Sequence, residues 1–338
     1  MESNATACLL LRLLGITALC ALLSACAAVA PKLPEVPALD NQPERHVESV
    51  DLLAMSAEMK QFTETWVNER GVGEDRAWAL AYAMLDPYIL NFKYDPRVTL
   101  SASEAFRQRK GNCLTFSNLM VAMAREAGLR AWYREVEIAP EWSTIDDTLL
   151  VGMHVNAAVQ EREKEYIVDV SRRKPRQWER HRRLSDTEAE AQFYNNLGAD
   201  ALVENNLSMA HAYFRKAIEI QPQLAYVWSN LGVVMNRNAQ TDDAILAYET
   251  ALAIDPGQDV AINNLYSIFE EQGRADAMAD LQRRAERNRR RNPYYLHHLA
   301  EEAFEEQRWS DAIELANRAI RLEGNDYRFH YTLARSQY

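Results

Sequence analysis

The feature that most constrains this 338-residue chain is a repeat in its C-terminal half. Leu197, Leu231, Leu265, Leu299 and Leu333 recur at a period of about 34 residues. Ala210, Ala244, Met278 and Ala312 keep the same phase, as do Ala217, Ala251, Ala285 and Ala319. Small side chains at fixed steps let two helices approach closely, and Pro222 and Pro256 stop the second helix of a pair. One such pair cannot bury its apolar face alone, so the pairs must stack. Units are expected to start near 191, 225, 259 and 293, with a fifth at 327 supplying one helix. Residues 186–338 are therefore expected to form an all-α solenoid.

The period, with Leu197-Gly198, Leu231-Gly232, Phe214, Trp228 and Tyr248, resembles the tetratricopeptide repeat. That resemblance implies a concave groove, lined by the first helix of each pair, that binds a protein or peptide partner. Asn196, Asn230 and Asn264 share one phase on that helix, with His298 in the fourth unit. They read either as a ladder for a ligand backbone or as a common choice at that position. Ser229, Asn263 and His297 stand where carboxylate-clamp members carry Lys or Arg, so capture of a C-terminal carboxylate is not expected. Arg283, Arg284, Arg287, Arg289, Arg290 and Arg291 read as a solvated helix face or a partner-binding stripe.

Upstream, Lys110-Gly111-Asn112 is a turn leading into the helical run from Cys113 to Gly128. Leu119, Met120, Met123 and Ala127 recur at helical spacing, and Gly128 suits the left-handed position after the last turn. Cys113 thus opens a helix, where free N–H groups and the macrodipole stabilise a thiolate. Taken alone it is either a nucleophile or a small buried hydrophobe. Asp75 to Leu85, Ser103 to Arg107, and the stretch from Val50 to Val67 also read as helices, with Trp66, Trp78 and Tyr82 in the core.

Beyond Gly128 the period changes to two. Arg130–Ile138, Val151–Val159 and Tyr166–Val170 read as strands, and Ala139–Leu149 as a loop. A hairpin around Glu161–Glu165 puts His154 and Asp169 opposite or one diagonal step apart. An aspartate there fixes the imidazole tautomer and turns the other nitrogen to a thiol. The stretches GNCLTFSNLMVAMAREAGLRAWYREVEI, GMHVNAAV and EYIVDVS, in this order, resemble the transglutaminase-like superfamily. The resemblance covers roughly residues 46–185 and implies an α+β domain with papain-like catalytic logic. It makes Cys113 the nucleophile, His154 the general base and Asp169 the orienting acid. Asn156 departs from the family, which commonly has an aromatic residue there. The Cys113 backbone N–H is the physical candidate for an oxyanion donor.

Residues 1–25 read as a signal segment. Leu23-Ser24-Ala25-Cys26 resembles the lipobox of bacterial lipoproteins, which implies lipidation of Cys26. The other reading of the uncharged run is an uncleaved anchor helix. Ala27 in place of a retaining aspartate implies the outer membrane, facing the periplasm. Residues 26–45, with Pro31, Pro34, Pro37 and Pro43, read as an extended tether. Removal of Cys8 and Cys20 and lipidation of Cys26 would leave Cys113 as the single free thiol in an oxidising compartment. The formal net charge of -11 argues against nucleic acid as a partner. The basic stretch 172–183 reads as a solvated linker face or a patch for headgroups or a partner. No cofactor motif and no metal-ligand set is found; His297-His298 and Asp146-Asp147 are too few and wrongly spaced.

The expected protein is thus an α+β transglutaminase-like domain (46–185) followed by an all-α tetratricopeptide solenoid (186–338), held in the cell envelope by its lipid. Its expected activity is cysteine chemistry on amide bonds, by hydrolysis or transamidation. The alternative is a non-catalytic repeat adaptor in envelope assembly.

Overall fold

The structure is a computed structural model describing residues 33–68, 75–136, 142–145, 148–151, 154–170, 181–290, 293–322, 324 and 326–338. Cys26, Gly152-Met153 and residues 171–180 lie outside the described residues.

Helix α1 (Ala57–Thr63) starts at Ser56, whose side chain accepts from the Met59 N–H, and runs on into a π-helical turn, Glu64–Asn68. The helix expected from Val50 therefore begins later. Asp51 draws the Leu53 N–H onto its own carboxylate, and Ala102 donates to the Leu52 carbonyl, so this stretch turns instead of coiling. Helix α2 (Arg76–Leu85) buries Ala77, Leu80, Ala83 and Met84. Its opposite face corrects the core assignment of two aromatics: Trp78 is 60% and Tyr82 50% exposed, stacked with ring centroids 5.2 Å apart. Trp66 is half-buried.

Short strand β1 (Lys93–Tyr94) pairs in parallel with β2 (Lys110–Gly111), on either side of helix α3 (Ala102–Gln108). Helix α4 (Cys113–Glu126) is buried continuously from Leu114 to Ala124 and packs against strands β3 (Arg130–Val136) and β6 (His154–Glu161). With β7 (Lys164–Val168) and β8 (His181–Leu184) these form a four-stranded antiparallel sheet in the order β7-β6-β3-β8. Within the segment expected to be a loop, β4 (Trp142–Ile145) and β5 (Thr148–Val151) form a hairpin. Each contributes a four-residue run with β-forming residues, which outweighs the loop tendency of Pro140 and the two aspartates in the sequence.

Nine helices follow among the described residues: α5 (Asp186–Val203), α6 (Leu207–Ile220), α7 (Ala225–Arg237), α8 (Thr241–Ile254), α9 (Asp259–Glu271), α10 (Ala275–Arg289), α11 (Pro293–Glu305), α12 (Trp309–Leu322) and α13 (Tyr327–Gln337). The first helices of the later pairs begin at Ala225, Asp259, Pro293 and Tyr327, on the grid the sequence sets. Close packing within the first two pairs depends on glycine. A Cβ on Gly198 would lie 2.6 Å from the Phe214 ring, and one on Gly232 2.5 Å from the Tyr248 ring.

From Val36 onward the chain forms one compact unit, and the sheet is joined to the first repeat by polar contacts. Glu135 of β3 is 8% exposed and accepts from Gln192 of α5 at 2.9 Å and from Arg182 of β8 at 2.5 Å. Arg182 also pairs with Glu188 of α5. Thus Arg182, expected on a solvated face, is a structural tie, and Arg183 lies over the Trp132 ring at 4.8 Å. Arg125, at the far end of α4 from Cys113, makes a two-bond pair with Asp186 (2.6 and 2.9 Å).

The proline-rich stretch does not hang free once Pro37 is reached. His211 contacts the Pro37 carbonyl at 2.8 Å, Ser208 donates to that of Pro43 at 2.6 Å, and Gln240 donates to that of Ala38 at 2.9 Å. Val50 donates to the Tyr194 hydroxyl at 2.9 Å. Residues 37–50 therefore form a strap along the first two repeats. Each such bond contributes about 1 kcal/mol net. Ser208→Ala with Gln240→Ala is expected to speed tryptic cleavage after Arg45 by roughly tenfold through local opening. An unchanged cleavage rate, read by intact mass, would show that these bonds do not hold the strap.

Candidate functional site

Cys113 is the first residue of α4, and local chemistry fixes where that helix starts. Asn112 is the N-cap: its Oδ1 accepts the Thr115 N–H at 2.9 Å, and its Nδ2 donates to Thr99 at 2.8 Å. Thr115 Oγ1 accepts from the Leu100 N–H (2.8 Å) and donates to the Val98 carbonyl (3.1 Å), pinning the preceding loop. Asn118, one turn on, donates to the Leu100 carbonyl at 3.0 Å and accepts from the Tyr133 hydroxyl at 2.9 Å. At the other end Gly128 (φ +73) takes the left-handed position, with Gly128 N–H on Arg125 and Leu129 N–H on Ala124. A Cβ on Gly111 would fall 2.2 Å from Thr115 Cγ2. Gly111→Ala must therefore displace Thr115 and the helix start. The expected loss is about 1–3 kcal/mol by urea denaturation, with slower Cys113 alkylation in the folded protein.

His154 opens β6, and Asp169 lies one residue past the end of β7. Ala157 faces Val168 across the β6–β7 pair, so the continued register sets Asp169 beside Asn156, one diagonal step from His154. His154 Nε2 contacts Asp169 Oδ2, and the side chains are 10% and 11% exposed. That contact leaves Nδ1 for another partner. Cys113 Sγ lies within hydrogen-bonding reach of the imidazole, and Cys113 itself is half-buried and not in a disulfide. The three residues expected from sequence are thus brought together. Burial pushes the His154 pKa down, but the bonds to Asp169 and Cys113 and their negative charge outweigh it and raise it to about 9. At neutral pH the group is an imidazolium beside the Asp169 carboxyl and the Cys113 sulfur.

Asn156 was visible in the sequence only as a departure. It is 3% exposed, and its Nδ2 lies 3.5 Å from the same Asp169 oxygen that His154 engages. Strand alternation put it on the face of His154; only the β6–β7 register shows that it flanks the carboxylate.

The groove positions are distributed differently. Asn230 Nδ2 donates to Asn195 at 2.9 Å, and Asn264 Nδ2 donates to the Val260 carbonyl of its own helix at 2.8 Å. Asn196 is half-buried and His298 is exposed. Two of the three amides in the expected ladder are thus engaged inside the protein. His297 contacts Thr332 at 2.9 Å.

A family model described as the transglutaminase-like superfamily matches residues 62–178, a span that includes Cys113, His154 and Asp169. A curated relative from Arabidopsis thaliana, tetratricopeptide repeat domain-containing protein PYG7, chloroplastic, is 35% identical over 71 residues, 21% of this chain. The chain carries a transglutaminase-like domain followed by a tetratricopeptide-like repeat region. It spans 24% of the length of the Arabidopsis relative. Solved structures that it is similar to include Pseudomonas aeruginosa pilF (23% identity, 46% of this chain and 70% of that one, TM-score 0.30). Another is the MamA protein (16% identity, 43% of this chain and 80% of that one, TM-score 0.27). Among the described residues no helix is long and apolar enough to cross a membrane.

Proposed function

We propose that the protein is an adaptor whose repeat region holds a protein or peptide partner in its groove. The observation that supports this is the stack of helix pairs, which offers a long surface and, among the described residues, no catalytic constellation of its own. A photocrosslinking residue in place of Asn196, in the native host, is expected to form discrete protein adducts. Absence of any adduct would sink the adaptor reading.

A second reading is favoured by one specific observation: His154 meets both Asp169 and Cys113. In this reading the domain adds acyl transfer at amide groups of the held partner. The Cys113 sulfur attacks the amide carbonyl carbon, the Cys113 backbone N–H donates to the developing oxyanion, and the C–N bond breaks. His154 gives its proton to the leaving amine, leaving a thioester. Water or a second amine then attacks the thioester while His154 takes a proton, and the C–S bond breaks to restore the site. Hydrolysis and transamidation differ only in that second acceptor. Asp169 holds the imidazole through Nε2, and Asn156 steadies the carboxylate from the side.

For location, the reading places the chain in the cell envelope, anchored by lipid on Cys26 and facing the periplasm. Support comes from the Leu23-Ser24-Ala25-Cys26 match in the sequence. Cys26→Ser is expected to change the mature mass and release the protein from the membrane fraction. No change in either would refute the anchor.

A further inference from the structure

The third helix pair lacks the lock that closes the first two. In those pairs a glycine of the first helix faces an aromatic ring of the second, Gly198 with Phe214 and Gly232 with Tyr248. At the corresponding third-pair positions stand Tyr266 and Gln282. A large ring occupies the place that must be empty, and a polar amide occupies the place that the ring should fill. Two further substitutions act the same way. Ala210, Ala244 and Ala312 are fully buried where Met278 is only half-buried, and Ile262 takes the place of Tyr194 and Trp228. Helices α9 and α10 border an open cleft of about 680 Å³. Ile262, Tyr266 and Ala279 give it apolar walls, and Gln282, Arg283 and Glu286 edge it.

The surrounding charge is specific. From Asp280 to Arg291 the sequence has Arg283, Arg284, Arg287, Arg289, Arg290 and Arg291 against Asp280 and Glu286, in a chain of net charge -11. Arg283 and Arg284 pair with Asp280, Arg284 also with Glu249, and Arg290 with Glu286, so the arginines stay in excess. Arg283 is 63% exposed beside the cleft. This end is also the C-terminal half of α10.

We propose that the α9–α10 cleft is a docking site for an acidic peptide segment of a partner protein, anchored by one apolar side chain. The anchor supplies the ring that the third repeat does not provide for itself. Its flanking carboxylates meet Arg283 and Arg287, which sets partner preference through charge. This rests on the adaptor reading and names a site and a ligand class for it. Through Asn263, which lines it, the cleft adjoins the concave row of Asn196, Asn230 and Asn264.

The test uses the full chain and a fluorescein-labelled peptide with one phenylalanine flanked on both sides by glutamates, followed by anisotropy. The wild-type chain is expected to bind it saturably, and the peptide with alanine for phenylalanine at least about tenfold more weakly, a loss of roughly 1.4 kcal/mol. Tyr266→Gly with Gln282→Phe restores the lock of the first two pairs, closes the cleft and is expected to abolish binding. Arg283→Glu with Arg287→Glu lies on the surface, so it keeps the test independent of repacking. It is expected to weaken binding about tenfold or more and to shift preference to a lysine-flanked peptide. No binding to the wild-type chain, or binding equal in both variants, overturns the cleft. Adducts at position 196 that persist in those variants would leave the adaptor reading standing while the cleft fails.

Discussion

His154→Ala is expected to slow iodoacetamide alkylation of Cys113 at pH 7 by about tenfold or more, and Asp169→Asn to slow it by less. The reason is the position of the imidazole, held at Nε2 by Asp169 and close to the sulfur. An imidazolium there stabilises negative charge on the sulfur. The effect has a pH signature, because the His154 pKa is raised from 6.5 to about 9. Folding stability from this group is fully present below pH 6.5 and is lost as pH rises through about 9. Wild-type and His154→Ala alkylation rates should therefore converge above pH 9. In denaturation, the wild-type advantage over His154→Ala should shrink over the same window. Parallel rates at all pH values would show that the contact has no chemical consequence.

Glu135→Ala is the substitution with the largest expected effect on the junction between sheet and repeats. Glu135 is buried and accepts from both Gln192 and Arg182. Removing it leaves the Gln192 amide buried without its acceptor, and leaves Arg182 paired only through its Glu188 contact. Arg182 is half-exposed, so water relieves much of its share. The expected loss is about 2–3 kcal/mol by urea denaturation, with Glu135→Gln losing less because it retains an acceptor for Gln192. The transition should also broaden or split as the two parts lose their coupling. An unchanged single transition would mean that apolar contacts alone hold the junction.

The repeats were legible because their packing rule is local in phase: a small residue on one helix requires a large one on the next. That rule fixes the starts at Ala225, Asp259, Pro293 and Tyr327. Met278 keeps the phase of that rule but not the size, so the period alone does not reveal the cleft of the third pair. That Cys113, His154 and Asp169 meet in space was legible through their order and spacing. What escaped depended on partners distant in sequence. The strap at residues 37–50 has no periodicity of its own and is held by Ser208, His211 and Gln240. The part played by Asn156 required the β6–β7 register. Trp78 and Tyr82 look like core residues by composition, yet they cover each other on the surface.

The most direct test of the Cys113–His154–Asp169 account is intact mass spectrometry of the native full chain after brief exposure to p-nitrophenyl acetate. The account predicts a burst of p-nitrophenol and one acetyl group, mapped to Cys113, with both absent in Cys113→Ser and strongly reduced in His154→Ala. A native chain that takes up no acetyl group, with Cys113 reacting only after denaturation, would contradict it.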